Sequence, residues 1–68
     1  MNAPADLVVH NCGTLFQFFP LSAKASEWVD ANLETLPWQW MGRSFVVEWR
    51  FAEPIIDGAI AAGLEVRL

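Results

Sequence analysis

The sequence predicts an α+β sandwich, an antiparallel sheet with two helices on one face. Three observations predict it. Trp38–Phe51 reads WQWMGRSFVVEWRF, two β-rich runs around Gly42-Arg43. Apolar residues recur at helical spacing in Ala23–Glu34 and in Ala52–Ala62. Each helical stretch lies between strand-like runs, which gives the order β-α-β-β-α-β.

Taken in order, residues 1–10 read as a flexible arm within a single domain spanning 1–68. Asp6–His10 has an alternative as a short strand that pairs back through an Asn11-Cys12-Gly13 turn. Thr14–Phe19 is a strand of β-formers that Pro20 stops. Ser22 stands where an N-cap belongs, and Ala25, Trp28, Val29 and Leu33 form one apolar stripe behind it. In the hairpin Trp38–Met41 and Ser44–Phe51, Gly at the first turn position suits a type II′ turn, which sets Trp40 opposite Phe45 and Trp38 opposite Val47. Alternation then puts Trp38, Trp40, Phe45, Val47 and Trp49 on one face, as half of a core. In the second helix, Pro54 is expected in the first turn, where no N–H is missed, with Glu53 beside it favouring the helix dipole. Gly58 weakens the interior of that helix, and Gly63 is a natural residue to follow its end. Leu64–Leu68 completes the sheet. The simplest compact arrangement is ferredoxin-like with strand order 4-1-3-2, a three-stranded α+β fold being the alternative.

Composition narrows the function. The 68 residues make one small domain, with four Trp and five Phe to fill its core. A single Cys allows no internal disulfide, and the start MNAPADLVV lacks the basic and apolar regions of a signal peptide. Leu7–Ala23 is free of charge but carries His, Asn, Gly, Gln and Pro, so no membrane span is expected. These features point to the cytoplasm.

Chemistry-bearing residues are sparse. His10 is the only histidine, and Cys12 stands without a second thiol at ligand spacing. Neither a nucleophilic triad nor a zinc site is expected, and no glycine-rich phosphate loop is present. The paired carboxylates Glu27 with Asp30, Asp30 with Glu34, and Glu53 with Asp57 sit at helix-surface spacing, where a solvated polar face is the plainer reading. The chain is therefore read as a non-enzyme without cofactor or metal. RNA-recognition domains share the expected sandwich, but their base-stacking positions here are Leu15, Gln17, Phe19, Val46 and Glu48, only one of them aromatic, and the chain is acidic. No direct nucleic-acid partner is expected, an RNA-binding domain being the third reading.

Charge layout is more informative. Glu27, Asp30, Glu34, Glu53 and Asp57 against Lys24 place the whole net charge of −4 on the two helices, since the remaining acidic and basic residues balance. Carboxylates about 5–6 Å apart along a helix are spaced much as phosphates along a nucleic-acid strand. Such a layer suits a basic groove built for DNA, set against the plain alternative that acidity serves solubility. These five residues are the expected partner-binding site. On the other face of the sheet Leu15, Phe19, Met41 and Val46 would form an apolar patch, unless the arm covers it through Leu7 and Val9.

Two stretches carry a resemblance. PLSAKASEWVDANL at 20–33 and FVVEWRFAEPIIDGAIAAGLEV at 45–66 share the pattern Pro20-Leu21-Ser22, Ala25, Trp28, Val47-Glu48, Arg50 and Gly63-Leu64-Glu65-Val66. They resemble short proteins of bacteria, phages and mobile elements, and the chain is similar in size and acidity to anti-CRISPR proteins, especially type I-C inhibitors. The resemblance implies a non-enzymatic inhibitor that binds a Cas protein of a type I surveillance complex in a bacterial host where target DNA should sit. It supplies no binding residues. The alternative is a small protein–protein interaction module, or a homodimer through the sheet face, although the chain is read first as a monomer.

Overall fold

The computed structural model describes residues 4–68 as one α+β domain. Its elements in order are β1 (Leu7–Asn11), β2 (Leu15–Pro20), α1 (Ala23–Asn32), a 3-10 turn (Pro37–Gln39), β3 (Trp40–Met41), β4 (Ser44–Glu48), α2 (Trp49–Ala61) and β5 (Val66–Arg67). The sheet is five-stranded in the order β3-β4-β2-β1-β5. All neighbours are antiparallel except β1 and β5, which run parallel.

The expected ferredoxin-like order is thereby corrected. The four anticipated strands keep their relative sequence, but β1 is inserted between β5 and β2. The closing strand therefore pairs in parallel with β1 and not with β2. The cause lies in residues read as an arm. Leu7 and Val9 are apolar at alternating positions and bury completely or nearly so, at 0% and 5% exposure. The turn needed to bring them there forms locally: Gly13 takes a φ of +91°, its N–H donates to Asn11 Oδ1 at 2.8 Å, and Cys12 N–H donates to the Leu15 carbonyl. Met1–Ala3 of the expected arm lie outside the described residues.

Both helices pack on the sheet face that carries Leu7, Val9, Phe18 and Phe45. A row crosses the sheet from Val9 through Phe18 and Phe45 to Trp40. Phe18 and Phe45 stack at 5.1 Å, and Trp40 tilts over Phe45 at 5.0 Å. Ala25 and Val29 of α1, and Ala52 and Ala59 of α2, close the core from above. Small residues at these helix positions let both backbones come close to the aromatic row. Gly58 serves a similar end between the helices. A Cβ there would lie 3.3 Å from the Trp28 ring, so the glycine gives room to α1, not to the sheet.

The caps follow the sequence closely. Ser22 Oγ accepts from the Ala25 N–H, and α1 stops at Asn32 instead of Glu34. Past α2, Gly63 at φ +87° donates to the Ile60 carbonyl and Leu64 N–H donates to that of Ala59, a Schellman ending. Two expectations fail in the hairpin. Gly42 has φ +65° and Arg43 has no positive φ, as a type II′ turn requires, and Trp40 does face Phe45. Yet Trp38 sits in the 3-10 turn, and α2 begins at Trp49, so neither lines the core floor. They are 73% and 61% exposed. The early start of α2 also puts Pro54 inside the helix, as its sixth residue, where the Arg50 carbonyl has no donor from it.

Candidate functional surfaces

The five carboxylates expected to bind a partner, Glu27, Asp30, Glu34, Glu53 and Asp57, are all exposed. Among the described residues the only ion pair joins Arg50 to Glu48 at 3.2 Å, so none of the five is matched by a cation at contact distance. The helices distribute them unevenly. Successive helical residues turn by about 100°. Relative to the buried Ala25 and Val29, this places Glu27 on the solvent crest of α1. Asp30 falls on the flank turned away from Trp28. On α2, Asp57 is near the crest and Glu53 on the flank away from Gly58. Since Trp28 and Gly58 meet between the helices, Asp30 and Glu53 lie on opposite sides of the layer. Glu34 stands beyond the end of α1, past the C-cap Leu33. The acidic layer thus consists of two strips with a helix seam between them. Asp30 also lines a shallow recess with Arg43, which softens its field.

The carboxyl with a clear shift is not one of these. Asp6 is held below its ordinary pKa first by the Glu65 N–H, which donates to Oδ2 at 2.8 Å, then by the Ser22 hydroxyl and the charge of Lys24. Its own N–H donates to the Glu65 carbonyl and its carbonyl accepts from Leu21 N–H. Asp6 therefore ties together the start of β1, the end of β2 and the entry to β5. This is a structural clamp that sequence reading missed, because its partner is 59 residues away.

The sheet face opposite the helices is open. Leu7 and Val9 point into the core, so β1 extends the sheet and does not cover it. Among the described residues no element lies over Val8, Phe19 and Val46, which are half-buried, with exposed Leu15 and Met41 at the margins. Gln17 crosses this face to donate to Ser44 Oγ at 2.8 Å. His10 is exposed at the end of β1, and Cys12 is a free, exposed thiol in the turn.

A third surface had no signal in the sequence. A groove of about 430 Å³ opens where α1 ends, β4 runs into α2 and the 3-10 turn passes. Leu33, Phe45, Val47 and Ile55 form its depth, and Trp38 and Phe51, exposed by 73% and 53%, stand at its mouth. Glu34 and Glu48 line it, and no Lys or Arg does. The groove exists because Trp38 and Phe51 leave the strands that alternation assigns to them. Among the described residues no helix is long and apolar enough to cross a membrane, and no group of three or more metal-ligating side chains occurs. Comparison with protein-family models, with curated proteins and with solved structures finds no match.

Proposed function

We propose that the chain is a non-enzymatic binding protein whose partner is a protein with a basic surface, and that it acts as an inhibitor by occupying that surface. The observation that carries this reading is the set of exposed carboxylates on the helix layer without cationic partners at contact distance. Unpaired like charges on a small domain add nothing to its folding, but they steer and orient association with an opposite potential. The resemblance to anti-CRISPR proteins names the partner class: a Cas protein of a type I surveillance complex, whose basic channel would take the acidic strip of α1 in place of target DNA.

Reversing charge at Glu27, Asp30 and Glu34 to Lys tests this in an interference assay. All three are exposed, so the fold is expected to survive, as circular dichroism would verify. The proposal predicts loss of inhibition by the folded triple variant. Full inhibition by that variant would sink it.

A second reading rests on the open sheet face. Val8, Phe19 and Val46 with Leu15 and Met41 make an apolar surface of the kind that marks association sites. A homodimer through it would appear as twice the monomer mass in sedimentation and would be broken by Phe19→Asp.

A further inference from the structure

On one side β4 is paired from Phe45 to Glu48 by β2, but on the other side β3 covers only Ser44 and Phe45. In an antiparallel ladder the peptide groups of alternate residues face the same neighbour. Ser44 closes the two-residue hairpin with Met41 and so faces β3. Val46 and Glu48 follow at intervals of two and face the same, strand-free side. The next ladder position is held by a side chain: Gln39 Nε2 donates to the Val46 carbonyl at 3.1 Å, while Gln39 Oε1 accepts from Leu36 N–H at 2.7 Å. The groove runs along this free edge, taking walls from both sheet faces, Phe45 and Val47 on one and Leu15 and Val46 on the other.

We propose that this groove receives an extended segment of the partner protein, added as a strand to β4 beyond Phe45, with apolar side chains in the groove and a lysine or arginine beside Glu34. The proposal rests on the reading of the chain as a binder of basic proteins. Three features fit that occupant. On this edge Gln39 takes the Val46 carbonyl and the first turn of α2 takes that of Glu48, so the main chain offers an extended peptide the N–H groups of Val46 and Glu48. The depth is apolar and the mouth is aromatic, which gives alternate side chains places to sit. The carboxylates of the lining have no basic residue among them, and Arg50 already holds Glu48, so Glu34 is the one left for the ligand's cation. The helix that follows Glu48 limits the added strand to about four residues, at roughly 3.3 Å each.

The probe is a capped peptide alternating valine and lysine, titrated into the full chain labelled for NMR. Bound peptide at ten times its Kd is expected to slow amide exchange at Val46 and Glu48 by about tenfold, with shifts at Phe51 and at the Trp38 indole. The same peptide N-methylated on alternate residues should not bind, and Glu34→Gln should weaken binding of the unmodified one. Shifts confined to Val8 and Phe19, or to Glu27 and Asp57, would overturn the proposal, as would no binding at millimolar peptide. Capture of the effector complex that persists when the peptide fails would overturn the groove alone and leave the proposed function standing.

Discussion

Phe45 stands between two other rings of the core, with Phe18 stacked on one side and Trp40 tilted on the other. Replacing it with alanine removes about 3–5 kcal/mol. A chain of 68 residues has roughly 3–10 kcal/mol in all, at typical stability per residue. Phe45→Ala is therefore expected to lose a large part of the chain's stability, as a lowered urea midpoint would report. Gly58 poses a different problem. A valine there gains helix propensity over glycine but drives two methyl groups into the Trp28 ring, already 3.3 Å from an added Cβ. Overpacking of this kind costs about 1–3 kcal/mol, so Gly58→Val should lower the urea midpoint. Asp6 makes a pH prediction. Its pKa in the folded chain is lowered from 3.8. Its contribution is thus present in full above the unfolded value and disappears as pH falls through the lower folded one. Asp6→Ala should reduce stability at neutral pH and flatten the acid limb of the stability curve below about pH 4.

At the level of elements, the N-terminal strand decides how the sheet closes. Among the described strands β5 is paired only with β1, and Leu7 is completely buried. A chain lacking residues 1–11 should lose β5 along with β1 and fail to fold, although a loose arm would have been dispensable. Limited proteolysis of the truncated chain checks this. Ser22→Ala, which removes the α1 cap, should cost only about 1 kcal/mol. The contrast shows what is legible in sequence. Signals confined to a few residues came through: the Ser22 cap, the Gly42 turn, the Gly63 ending and the stripe of α1, while Ile60, read into the stripe of α2, is exposed. Those that depend on distant pairing did not. Nothing within Leu7–Asn11 says that Val66 will lie beside Leu7. Trp38 and Trp49 obey strand alternation with Trp40, yet Pro37 opens a 3-10 turn and the helix starts at Trp49, so both leave the sheet. Their departure made the groove invisible to pattern reading. The five carboxylates were legible as exposed, but their division by the Trp28–Gly58 seam depends on how the helices pack.

The two helices carry Glu27, Asp30, Glu53 and Asp57 against Lys24 and Arg50, which is half of the net charge of −4, with Glu34 past the end of α1; an open apolar sheet face lies on the other side and a groove at one end. Association driven by exposed charge is screened over about 8–10 Å at physiological salt. Binding through the helix layer should therefore weaken steadily between low and high ionic strength, chiefly through a slower on-rate, whereas a dimer through Phe19 and Val46 would be insensitive or strengthened. The most direct measurement of the central claim is capture of a purified type I-C surveillance complex by the immobilised protein, with target DNA as competitor. Capture is expected, with target DNA displacing it and charge reversal at Glu27, Asp30 and Glu34 abolishing it. No capture by the folded wild-type chain, or capture indifferent to both DNA and charge reversal, would contradict the claim.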